Sequence, residues 1–124
     1  MYQNITIIGN LGRDPELKFA ADGNPVTTFS VAVNDGFGEN KRVMWVRVSA
    51  WGKQAEPCHQ YLKKGSKVFV SGHLTADKDT GNPRVYQSNA GGWASSFEMV
   101  AGRVLFLDGK ADSAPAVDDG DVPF

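Results

Sequence analysis

The chain has little of the chemistry from which most catalytic and metal sites are built. Only one of its 124 residues is cysteine, Cys58, and only two are histidine, His59 and His73. A single cysteine excludes an internal disulfide and points to a reducing compartment, so a cytoplasmic location is expected. His59 adjoins Cys58 in a segment of helical spacing, so the two side chains diverge and do not chelate one metal well. His73 stands in a strand-like run. There is no HExxH, no CxxC, no glycine-rich phosphate loop and no nucleophile elbow. The carboxylates are scattered over turns and tail. These absences argue against an enzyme, with no catalytic residue, no metal ligand set and no cofactor. Long apolar runs are missing too: none approaches the ~20 residues of a membrane helix. The opening Met1-Tyr2-Gln3-Asn4-Ile5 lacks the basic-then-apolar order of a signal peptide, so no membrane partner is expected.

Net charge is nearly absent as well, at −1, but it is unevenly spread. Residues 108–124 hold five aspartates against Lys110, or −4, which leaves 12 basic and 9 acidic side chains, or +3, in residues 1–107. A mildly basic body with an acidic tail suits two different partners, a polyanion for the body and something basic for the tail.

What the chain does have is a core. Its 124 residues at 41% hydrophobic content suffice for one folded domain. Period-two alternation dominates up to Leu107. A strand begins over 5–8 and stops at Gly9-Asn10-Leu11-Gly12. Strands over 17–19 and 26–33 flank the turn signal Asp22-Gly23-Asn24-Pro25. Residues 43–51 alternate, and 54–62 carry helical spacing through Ala55, Cys58, Tyr61 and Leu62, ended by Lys63-Lys64-Gly65. Pro57 is tolerable only in the first turn of that helix. Strands follow over 68–74, 84–87 and 97–106, the last interrupted at Gly102, with a polar loop over 77–83. One short helix between the third and fourth main strands is the order of a five-stranded oligonucleotide/oligosaccharide-binding (OB) barrel. A plain β-sandwich is the alternative and leaves the helix unexplained. The expected organisation is an all-β OB domain over 1–107, a flexible linker over 108–117 and an acidic tip over 118–124.

The alternation over 43–51 places Val43, Trp45, Arg47, Ser49 and Trp51 on one face and Met44, Val46, Val48 and Ala50 on the other. Tryptophan is often buried, but the second face already supplies core material, and an inward Arg47 would need a buried partner. The pattern therefore favours an exposed platform. Trp45 and Trp51, with Phe37 just upstream, would stack nucleobases. Lys41, Arg42, Arg47, Lys53 and Lys64 would neutralise phosphates. Stacking does not read base identity, so such binding tolerates most sequences.

The end of the chain, Asp118-Asp119-Gly120-Asp121-Val122-Pro123-Phe124, has neither helix nor strand period. It suits capture by a partner that binds Val122, Pro123 and Phe124: the Phe124 ring fills an apolar pocket, and basic residues hold the carboxylates of Asp118, Asp119, Asp121 and the terminus.

Three separate stretches, in order along the whole chain, resemble the bacterial single-stranded DNA-binding protein family. They are Asn4 to Glu16 (NITIIGNLGRDPE), Trp45 to Glu56 (WVRVSAWGKQAE) with Tyr61 to Val68 (YLKKGSKV) and Gly72-His73-Leu74, and the acidic tip. The resemblance implies an OB fold, usually a homotetramer, that binds and protects single-stranded DNA near the nucleoid. It also implies that replication, recombination and repair proteins are recruited through the tip. The chain departs from that family at four places. The 77–83 loop has two acids and no aromatic, and Phe37 stands where a tryptophan is frequent. Ala90-Gly91-Gly92-Trp93-Ala94 is atypical, and the linker is short. A related OB-fold primosome or RNA-binding module would instead prefer RNA. A protein-only interaction domain would show no quenching of tryptophan fluorescence by oligonucleotides.

Overall fold

The computed structural model describes residues 2–36 and 38–107. The strands are β1 (Ile5–Leu11), β2 (Glu16–Phe19), β3 (Pro25–Asp35), β4 (Arg42–Trp51), β5 (Lys67–Thr75), β6 (Arg84–Gln87) and β7 (Trp93–Phe106), with helix α1 (Ala55–Tyr61) between β4 and β5. Five of them close a barrel in the order β1-β5-β7-β4-β3, and β3 returns to β1. All pairings are antiparallel except β4 with β7. This is the expected OB barrel with its one short helix. β2 extends β3 at one side, and β6 pairs only with β7 as a projecting hairpin.

β1 does not stop before Gly9 but continues to Leu11. Closure is the reason. β1 pairs with β5 up to Asn10, and Asn10 and Leu11 also pair with Ala32 and Val31 of β3. A Cβ at Gly9 would collide with the carbonyl of Ala32, so this glycine permits the close approach that completes the barrel. The interruption foreseen at Gly102 is a bulge. Ser71 pairs with Arg103 and Gly72 with Ala101, so Gly102 is the unpaired extra residue. β7 starts at Trp93 rather than Phe97, because Trp93 to Ser96 pair with β6.

Alternate residues fill the barrel: Phe29 and Val31 from β3, Val46, Val48 and Ala50 from β4, Val68 and Val70 from β5, and Met99, Ala101 and Val104 from β7. α1 turns Ala55 and Cys58 inward, with Leu62 just after it. The hydroxyl of the buried Thr27 donates to the carbonyl of Ala55 and ties the helix to β3. Pro57 lies in the first turn, as required. The Lys64 N–H donates to the Asp14 carboxylate at 2.8 Å, which fastens the loop after α1 to the loop after β1.

Candidate nucleic-acid interface

β4 positions the main side chains. With Val46, Val48 and Ala50 buried, Trp45, Arg47 and Trp51 are turned outward, and Trp45 keeps 52% and Trp51 43% of its surface exposed. The two tryptophans are surface residues, not core. The Trp45 ring lies close to Gly12, where an added Cβ would meet it at 2.5 Å.

An open groove of about 610 Å³ runs beside Trp45. β4 contributes Val43, Met44, Trp45 and Arg47 to its walls, and β3 contributes Ser30. The β6–β7 hairpin contributes Arg84, Tyr86, Ser95, Ser96 and Phe97. No acid lines it. Two adjoining clefts carry the trough past Gly12 and Arg13, sharing Ser30 with it, and Trp45 or Arg47 respectively. Asp14 and Glu16 line the one that shares Arg47. The Arg84 guanidinium sits over the Tyr86 ring at 5.2 Å from its centroid. Three aromatic rings and two guanidinium groups along one groove can stack planar bases and hold phosphates.

Of the residues singled out from the sequence, Trp45 and Arg47 meet in this groove. Lys41 and Arg42 are exposed next to its Val43 wall. Trp51 and Lys53 stand beyond it, since six residue steps along the strand carry Trp51 roughly 20 Å from Trp45. Lys64 is exposed away from the groove, its backbone N–H held by the Asp14 carboxylate. Phe37 lies outside the described residues, as do the linker and the tip with Asp118, Asp119, Asp121, Val122, Pro123 and Phe124. Sequence reasoning missed Arg13, Arg84, Tyr86 and Phe97. The alternation of Arg84 with Tyr86 was a signal that both share one face of a short strand, but its pairing partner could not be read locally. Trp93 is 76% exposed opposite Gln87 in the hairpin, so it is not a core residue.

No catalytic group emerges at Cys58. Burial pushes its thiol up to about 12, which keeps it neutral and unreactive. Among the described residues no three His, Cys, Asp or Glu side chains gather as a metal site. No helix among them is long and apolar enough to cross a membrane.

The sequence pattern of the single-strand binding protein family matches residues 2–107, which is the whole barrel with its hairpin. The chain belongs to the single-strand binding protein family. The matched residues are those of a family of binding proteins. Individual relatives agree. The chain is 39% identical over 89 residues to single-stranded DNA-binding protein 1 of Chlorobaculum tepidum, covering 64% of this chain and 55% of that protein. It is 38% identical over 104 residues to the single-stranded DNA-binding protein of Xanthomonas campestris, covering 80% and 60%. It is 32% identical over 125 residues to the single-stranded DNA-binding protein of Xylella fastidiosa, covering 96% and 71%. The chain thus spans less than two thirds of the length of the first two relatives.

Proposed function

We propose that this chain binds single-stranded DNA along the outer face of β4 and the β6–β7 hairpin, without strong sequence preference. One observation carries the reading: Trp45, close against Gly12 but half exposed, shares a groove with Arg47, Arg84, Tyr86 and Phe97. Stacking supplies affinity for any base, and the arginines hold the backbone. Single-strand binding by the named relatives supports it. Titration with oligo(dT), following tryptophan fluorescence at two salt concentrations, is the test. Saturable quenching that weakens with salt is expected, and unchanged fluorescence refutes the reading. Stronger binding to the equivalent RNA would move the function to an RNA-binding module.

The assembly and the recruiting role belong to the same proposal. β4 has ten residues, a track of roughly 30 Å, so wrapping a longer strand calls for several copies in closed symmetry, four in this reading. Light scattering should give about four times 13.4 kDa; a monomer mass that persists with DNA present refutes it. The acidic tip, residues 118–124, would recruit replication, recombination and repair proteins to DNA held in the bacterial cytoplasm.

A further inference from the structure

The two arginines of the main groove differ in what they already hold. Among the described residues Arg47 makes no ion pair, whereas the Arg84 guanidinium stands 3.6 Å from the carboxylate of Glu98. Glu98 reaches Arg84 from the neighbouring cleft, not from the groove itself. It lies on β7 beside Arg47 in the parallel register. Its side chain is 25% exposed, and the Ser96 hydroxyl donates to the same carboxylate oxygen at 2.9 Å. The acid is therefore anchored in the sheet, while Arg84, 51% exposed, is the movable member of the pair.

We propose that Glu98 competes with the phosphate backbone for Arg84, and so holds the affinity of this half of the groove below what its cations allow. The inference rests on the single-strand reading above. A carboxylate and a phosphodiester each carry one negative charge and present two oxygens to the guanidinium fork, so they exchange for one another. The pair is loose, since 3.6 Å exceeds the ~2.7–2.9 Å of a tight charge-assisted hydrogen bond. A strand that captures Arg84 must leave Glu98 unpaired beside a phosphate, which opposes binding and favours release.

Glu98→Gln removes the charge and keeps an oxygen for Ser96. The experiment measures oligo(dT) affinity and its salt dependence in wild type, E98Q, R84A and the double variant, with thermal melting as the check on folding. E98Q should bind several-fold tighter at low salt, with the slope of log K against log salt steeper by about one phosphate contact. R84A alone should weaken binding, because it removes a phosphate contact and leaves Glu98 unpaired, and the E98Q gain should vanish in the R84A background. Unchanged or weaker binding by E98Q overturns the proposal. So does the same gain without Arg84, which would mean plain repulsion of phosphate. A crystal structure of the wild type with oligo(dT) tests it without substitution: Arg84 parted from Glu98 and on a phosphate is expected, and an intact pair overturns it. If wild-type fluorescence fails to respond to any oligonucleotide, the single-strand reading itself falls and the competition with it. A response in the wild type with no E98Q gain sinks the competition alone.

Discussion

Trp45 rests on Gly12: a Cβ at position 12 would stand 2.5 Å from the indole, so the absence of a side chain there seats the ring. Gly12→Ala should push the ring from its seat, with the fold intact because the colliding atoms belong to a side chain at the surface. We expect weaker strand binding than wild type, and a smaller loss than Trp45→Ala, for which ~1–3 kcal/mol is the range of one stacked base. Fluorescence titration of the glycine variant and a nucleotide mobility assay of the tryptophan variant decide it. Wild-type affinity in both would take Trp45 off the DNA path.

Trp51 tests how far the strand runs along β4. It is exposed at the far end, beyond the groove. Trp51→Ala should cost ~1–3 kcal/mol for strands long enough to span both tryptophans, and almost nothing for strands too short to do so. Its melting temperature should stay near wild type, since no core volume is removed. A length-independent loss would contradict a path from one tryptophan to the other.

Arg47 faces the groove with no ion pair among the described residues, and Lys53 and Lys64 are exposed outside the groove. Each change to Ala should make the salt slope shallower by about one contact if the residue meets a phosphate. Slopes equal to wild type for Lys53 and Lys64 would confine the strand to the groove.

Cys58 gives a pH prediction of definite sign. Burial raises its thiol from the ordinary 9.0 to about 12, so the folded state keeps the proton that the unfolded state loses. The stability linked to this group is complete below about 9 and is lost as pH rises towards 12. A thiol reagent at pH 8 should leave the native protein unmodified and label it rapidly in urea. Fast labelling of the folded protein would contradict the buried placement.

The tip prediction concerns residues outside the described structure. Deleting Val122, Pro123 and Phe124 should abolish capture of replication and repair proteins, because the anchoring ring is gone. DNA affinity should hold or rise slightly, and any rise should shrink at high salt, where repulsion of phosphate by the −4 segment is screened. Pull-downs and DNA titrations on the same truncated protein separate the two ends. Lost DNA affinity with partners retained would exchange their roles.

The alternation over 43–51 was enough to place Trp45, Arg47 and Trp51 outward and Val46, Val48 and Ala50 inward, because a strand's two faces are encoded by neighbours two residues apart. Likewise the turn at Asp22 to Pro25 and the helix around Ala55 and Cys58 follow from local preferences. Only the tertiary structure decided where the groove lies. Arg47 lies beside Glu98 through a parallel pairing of strands far apart in sequence, and the β6–β7 hairpin then carries Arg84 and Tyr86 over the same surface. A lone glycine at position 9 looks like a strand end from sequence, and only the crossing carbonyl of Ala32 shows why the strand runs through it. Faces are local properties of a strand; which faces meet depends on barrel closure, to which residues distant along the chain contribute together.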